Sequence, residues 1–363
     1  MTALESPCGA AGVSLEDKVR FLADPRTHGA PVTALETHMS WVFLAGDRAY
    51  KLKKPVRFAY LDFSTLSRRE RTCRTELRLN RRLARDVYLA VVPLVRRPRG
   101  LSIGGEGEVV DWLVEMRRLD AERMLPARLA NHLETAELDR IAGALVRFYR
   151  RAGRAKLSPA AYKQILEAAR RENRRVLLDK RFALPRGRVR AIDGVLERFL
   201  RRNGHVLADR VRRGRIVDGH GDLRPEHVCI SDPVRIIDCL EFSTALRAGD
   251  WLDEISLLDL ECERLGAPSA GRRLRSKILA GLGESDRGAL YSFYRCHKAM
   301  LRARLSVAHL LEPSPRSPGK WLPLTKAYLA VAAADAARVA RQLRRPGGPS
   351  ASGCGAAAAA PRR

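Results

Sequence analysis

The chain's seven cysteines include no C-x-x-C pair, and their number is odd. Cys8, Cys73, Cys229, Cys239, Cys262, Cys296 and Cys354 therefore read as neither a zinc knuckle nor a disulfide framework, and a reducing cytoplasm is the expected setting. No apolar run approaches the roughly 18–20 residues of a membrane span, so no membrane partner is expected. The first residues, MTALESPCGAAGVSLEDKV, lack the basic and then apolar regions of a signal peptide. No G-x-x-x-x-G-K-[ST] occurs; the nearest stretch, GAPSAGRR, lacks the Lys-Ser/Thr end of a P-loop. IGGEGE has the glycines of a phosphate loop, but its two glutamates would repel phosphate, so it reads as a turn.

Lysine is scarce as well, at eleven of the 68 basic residues in a chain whose net charge is +27. Such a charge suggests nucleic acid or an anionic surface. The arginines are spread over most of the chain, however, and no recognised nucleic-acid motif accompanies them. One region reverses the trend. Gly214 to Glu263 holds twelve Asp/Glu against four Arg, a net of −8, so the remainder carries +35. Oxygen-rich sites suit hard cations such as Mg²⁺, and this acidic stretch contains the densest cluster of chemical groups, VDGHGDLRPEHVCI.

The 363 residues suffice for two domains or one bilobal unit. An N-terminal extension, 1–30, precedes a strand-rich part, 31–120. There WVFLAGDRAYKLKKP reads as a hairpin turning at Gly46-Asp47, Ser64 caps a helix running to Leu83, and VYLAVVPLV and VVDWLVEM read as strands. Residues 121–344 read as helical. Thr135 caps ELDRIAGALVRFYRR, whose Leu138, Ile141, Leu145 and Phe148 recur at helical spacing. HVCI and VRIIDCLEF form a small hairpin about Ser231-Asp232-Pro233. The segment 345–363 is low-complexity and expected to be disordered. The fold class is α+β, with a small β-rich N-lobe and a larger helical C-lobe facing each other across a cleft.

Phosphoryl transfer needs metal on the phosphates, a cation on their oxygens and a base or orienter for the attacking hydroxyl. Asp222, in HGD, can orient a hydroxyl and take its proton. His220 reads as a loop residue that orients this centre, its imidazole bonding main chain near Asp238. Asp238, in IIDCLEF, follows an apolar strand, where a metal-binding aspartate belongs. Lys51 and Lys53 are two apart and share one face of a strand. Either can reach phosphate, and Glu76 on the following helix can hold that lysine.

These motifs resemble the aminoglycoside phosphotransferases, bacterial relatives of the protein kinases. HGDLRPEH is similar to their HGDxxxxN loop, and IIDCLEF with GDWLDEISLLDL to their ID-[FWC]-E…GD…D-L stretch. GDRAYKLKKP is similar to their nucleotide-lysine strand, and CRTELRLNRRLARDVYLAVVPL to the helix and strand that follow. Order and spacing match from about Pro31 to about Leu260. A closer resemblance is to an uncharacterised bacterial group of aminoglycoside phosphotransferase-like proteins, some of which carry an added P-loop ATPase domain.

The resemblance implies a bilobal protein-kinase-like fold and transfer of the γ-phosphate of ATP, with Mg²⁺ or Mn²⁺, to a hydroxyl of a small molecule. It puts the main chain of Glu115 and Met116 at the hinge against adenine. Aligning RAYK with V-A-I-K favours Lys51, whereas aligning YKLKKP with Y-V-L-R-x-P favours Lys53. Asp250 and Asp253 would brace the catalytic loop through hydrogen bonds and helix capping. His227 stands where the family has an asparagine that binds a second metal. Imidazole favours manganese or zinc over magnesium, so altered metal preference, a one-metal enzyme and a degenerate kinase all stay open. Alternative readings are a catalytically weak nucleotide-binding regulator and, less favoured, a basic nucleic-acid-binding protein on this scaffold. A polycationic aminoglycoside would be repelled at long range by the net charge, while the acidic stretch could attract it locally; an anionic or neutral acceptor fits at least as well.

Overall fold

The computed structural model describes residues 12–344, apart from residues 59, 132, 286–287, 313–314 and 316. The low-complexity segment 345–363 lies outside the described residues. Main elements of the N-terminal part are α1 (Leu15–Ala23), β1 (Val32–Glu36), β2 (Ser40–Ala45), β3 (Arg48–Lys53), α2 (Leu66–Asn80), β4 (Tyr88–Arg97), β5 (Gly100–Ile103) and β6 (Glu108–Arg117). The six strands form one antiparallel sheet in the order β1-β2-β3-β6-β4-β5.

Each face of this sheet has its own core. Ala49, Val114, Tyr88 and Met116 meet Cys73 of α2 on one face; Leu52, Phe43, Leu94 and Leu113 meet Leu22 of α1 on the other. The period of two along A-Y-K-L-K thus sends Lys51 and Lys53 to the α2 side and Leu52 to the α1 side. Helix α1 falls in the stretch read as an extension. It is a working part of the lobe: Lys18 reaches the buried Asp111 at 2.8 Å, and Arg69 of α2 binds the same carboxylate at 2.7 and 3.0 Å. Ser64 does not cap α2. Its N–H and hydroxyl both donate to Asp62, and Thr65 accepts from the N–H of Arg68 instead.

The C-terminal part is built from α3 (Thr135–Arg151), α4 (Pro159–Leu177), α5 (Arg186–Arg202), α6 (Gly204–Arg212), α7 (Trp251–Arg264), α8 (Pro268–Gly281), α9 (Ala289–Ala308) and α10 (Pro318–Arg344) around one large apolar core. Glu134, not Thr135, caps α3, because Glu134 and Glu137 form a reciprocal capping box. Between α6 and α7 run four short strands: β7 (Ile216–Asp218), β8 (Val228–Cys229), β9 (Arg235–Ile236) and β10 (Ala248–Asp250). β8 pairs with β9, and β7 with β10, both antiparallel. Among the described residues no helix is long and apolar enough to cross a membrane.

His297 on α9 gives this core a pH dependence. Burial, aided by the Lys298 charge, holds its pKa down to about 3. The folded chain keeps it neutral, while the unfolded chain protonates it near pH 6.5, so stability falls as pH drops through that interval. Between pH 7.5 and 4.5 this one group costs about 2–3 kcal/mol. Urea titrations at the two pH values should show His297→Gln losing less stability on acidification than the parent chain; equal losses would remove His297 as a cause.

Candidate active site

Three segments converge between the sheet and the helices. The first is the lysine strand with α2. Lys51 Nζ donates to Glu76 Oε1 at 2.8 Å and to Asp238 Oδ1 at 2.8 Å. Lys53 Nζ donates to Glu76 Oε2 at 2.6 Å and to Glu241. Both lysines therefore bind Glu76, contrary to the expectation that only one would. Depth separates them: the Lys53 side chain is 0% exposed, Lys51 14% and Asp238 46%. Burial would drive both lysine pKa values down, but the surrounding carboxylates outweigh it and hold both up. Burial raises Glu76 and the two lysines pull it below its usual value.

The second segment leaves β9. Asp238 adopts φ 62°, the left-handed region in which Asp is one of the tolerated residues. That turn is held from the other lobe. The Asp238 N–H donates to Tyr88 Oη at 3.1 Å and the Cys239 N–H to Asn80 Oδ1 at 2.8 Å. Arg82 donates to the carbonyls of Asp218 and Gly219, each at 2.8 Å. Although the Asp238 side chain keeps 46% exposure, the protein packed around it works to raise its carboxyl, and Lys51 and His227 outweigh this and pull it far below the carboxylate range.

The third segment is the loop after β7. His220 is fully buried, with Nε2 2.9 Å from the Ile237 carbonyl and Nδ1 3.3 Å from the Asp222 N–H. Nε2–H donating and Nδ1 accepting is the neutral tautomer, and burial holds its pKa down to about 4. The Gly221 N–H donates to Glu254 Oε1 at 2.6 Å, and Glu254 also accepts from Tyr149 at 2.8 Å. Gly221 has φ 88°, and a Cβ there would lie 2.9 Å from Leu240 Cδ1, so glycine is required. Asp222 is pushed up by burial and pulled down more strongly by Arg224, whose Nε lies 2.9 Å from Oδ2, and by His227. It is therefore a carboxylate at neutral pH. His227 Nδ1 donates to the Asp222 carbonyl at 2.8 Å. Its Nε2 lies 3.1 Å from Arg224 Nη2 and 3.6 Å from Asp238 Oδ2.

Asp222, His220, His227, Asp238, Lys51, Lys53 and Glu76 thus form one cluster. Glu115 and Met116 do not lie at the lobe crossing. They sit inside β6, paired with Tyr50 and Ala49 on one edge and with Ala90 and Tyr88 on the other. The Arg117 and Arg118 N–H groups are also bonded, to Val87 and Asp47, so the crossing begins after Arg118. Among the described residues the Asp250 and Asp253 side chains make no hydrogen bond to the loop itself. Asp250 caps α7 and takes a bidentate pair from Arg210 at 2.7 Å each, while Asp253 holds Lys298 at 2.7 Å. The loop's brace is Glu254. Sequence reading also missed Glu241, one helical turn's span after Asp238 in a segment that forms no helix.

Among the described residues no three His, Cys, Asp or Glu side chains form a ready metal cluster. Asp238 and His227 form a pair. Lys51 takes Asp238 Oδ1, so Oδ2 and His227 Nε2, 3.6 Å apart, are the pair that could hold a divalent ion completing its shell with phosphate oxygens and water, an oxygen–nitrogen set better suited to Mn²⁺ than to Mg²⁺.

No family model matches the chain. Uncharacterized proteins of Mycobacterium tuberculosis and Mycobacterium bovis are 33% identical to it over 300 residues, 81% of this chain. The chain spans 58% of the length of these curated relatives. Among solved structures, a thermostable mutant of the aminoglycoside phosphotransferase APH(4)-Ia superposes with a TM-score of 0.51 at 12% identity, covering 90% of this chain and 99% of that one. A choline kinase from Cryptosporidium parvum superposes with a TM-score of 0.50 at 11% identity, covering 86% and 89%. A Plasmodium vivax ethanolamine kinase gives 0.50 at 12%, covering 84% and 82%. The chain has a protein-kinase-like fold. In this kinase-like frame β1–β6 with α1 and α2 make the N-lobe, α3–α10 make the C-lobe, and the cluster lies where the two meet.

Proposed function

We propose that this kinase-like chain transfers the γ-phosphoryl group of ATP to a hydroxyl of a small molecule. The observation that carries the reading is the Lys51 ammonium, bound at 2.8 Å to both Glu76 of the N-lobe and Asp238 of the C-lobe, beside the ionised Asp222. Lys51, partly exposed and held by Glu76, would meet the phosphates. Lys53, sealed between Glu76 and Glu241, would position Glu76 and touch no ligand.

Asp238 and His227 would hold Mg²⁺ or Mn²⁺, which when bound neutralises charge on the phosphates. Asp222 would orient the acceptor hydroxyl and take its proton. His220, with both ring nitrogens engaged, would act as a positioning residue that ties the Asp222 loop to the Asp238 turn. Adenine would meet the main chain after Arg118. A thermal-shift titration with ATP and Mg²⁺ or Mn²⁺ tests the reading. Ligand at a hundredfold excess over Kd should stabilise the fold by about 2.7 kcal/mol; no shift with either metal would overturn the nucleotide site.

A further inference from the structure

A belt of alternating charges runs from the catalytic loop onto the C-lobe helices. Arg224 pairs with Asp222 at 2.9 Å and lies 3.8 Å from Glu226. Glu226 accepts from Arg264 at 3.0 Å, Arg264 also binds Glu261 at 2.5 Å, and Glu261 accepts from Arg302 Nε at 3.0 Å. Each glutamate is thus shared by two arginines. Lys298, one turn before Arg302 on α9, is occupied by Asp253.

Arg302 ends the belt and differs from its other members. Its Nε is fixed by Glu261 and by Tyr328 Oη at 3.4 Å, and its guanidinium lies 5.6 Å from the Tyr328 ring centroid. Neither terminal nitrogen makes a hydrogen bond among the described residues, and the side chain is 17% exposed. It is close enough to Asp222 that, after burial, Arg224 and His227, its charge acts on that carboxyl. A guanidinium locked at Nε with both terminal nitrogens free keeps one open edge preorganised for a bidentate oxyanion. An ammonium-bearing acceptor would meet like charge at this place.

Resting on the kinase reading, we propose that the acceptor is an alcohol carrying an oxyanion, a carboxylate or a phosphate ester. Arg302 binds that anion while the hydroxyl faces Asp222. Arg302 is then a specificity-determining residue, and the site selects against the cationic acceptors that the names of its structural neighbours indicate.

Isothermal titration of the chain saturated with AMP-PNP and Mg²⁺, at constant ionic strength, tests this. Sulfate stands in for a phosphate ester, glycerate for a carboxylate and kanamycin for a polycation. At least one oxyanion should bind saturably and kanamycin should not; which oxyanion binds identifies the anion's source. Arg302→Gln should weaken that binding about tenfold or more, the loss of a charge-assisted contact, with AMP-PNP affinity unchanged. Unchanged oxyanion binding in Arg302→Gln, or kanamycin binding in place of oxyanions, would overturn the inference while leaving the kinase reading standing. If Arg302→Gln does not fold, the wild-type comparison of oxyanions with kanamycin decides alone. Failure of AMP-PNP itself to bind would overturn the kinase reading and this inference with it.

Discussion

Asp222→Asn should lower turnover by about 10²–10⁴ while ATP affinity stays near that of the parent chain. The amide keeps the size of the side chain and can still accept from Arg224 Nε, now 2.9 Å from Oδ2. What it loses is basicity. Burial raises the Asp222 carboxyl, yet Arg224 and His227 bring it below its usual value, so the parent chain holds the base form throughout the neutral range. Nucleotide affinity should survive because the cation that would meet phosphate, Lys51, bonds to Glu76 and Asp238. Turnover can be read as acceptor phosphorylation, or as ATP hydrolysis before an acceptor is known. A variant with near-parental turnover would remove Asp222 from the proposed role.

The two lysines should fail in different ways. Lys53→Ala strips the shared cation from Glu76 and Glu241, whose side chains are 0% and 8% exposed. Breaking a buried ion pair from one side costs about 3–5 kcal/mol, so the loss should appear first in a urea or guanidinium unfolding curve. Lys51→Ala leaves Glu76 paired with Lys53 and leaves Asp238, 46% exposed, to water. Its stability should change little, but ATP affinity should fall roughly ten- to hundredfold with the loss of a charge-assisted contact. The reverse pattern, with Lys51→Ala unfolding and Lys53→Ala losing nucleotide, would exchange the two roles.

The frame was legible in the sequence because its signals are local and periodic. A-Y-K-L-K alternates as a strand must, HGD needs its glycine for a left-handed turn, and IIDCLEF announces an apolar strand ending at a carboxylate. What stayed hidden depended on depth and on distant partners. Spacing of two places Lys51 and Lys53 on the same face, and only packing against α2 shows that one is sealed and the other open.

Ser64 and Thr65 are equivalent as caps until Asp62 claims Ser64. In Asp250-Trp251-Leu252-Asp253-Glu254 the helical phase of α7 selects Glu254, not either aspartate, to hold Gly221. The resemblance put Glu115 and Met116 at the hinge, but β6 continues through Arg117, so both are paired within the sheet. Arg302, about eighty positions from HGD, carries no motif at all, and only the fold brings it to the catalytic loop.

The central claim is that nucleotide and metal meet at Asp238 and Lys51. A crystal structure with AMP-PNP and Mn²⁺, located by anomalous scattering, tests it most directly. The account predicts a manganese peak bonded to Asp238 and to His227 Nε2, which lies 3.6 Å from Asp238 Oδ2, with phosphates against Lys51. A manganese peak and phosphates bound away from both Asp238 and Lys51 would contradict it.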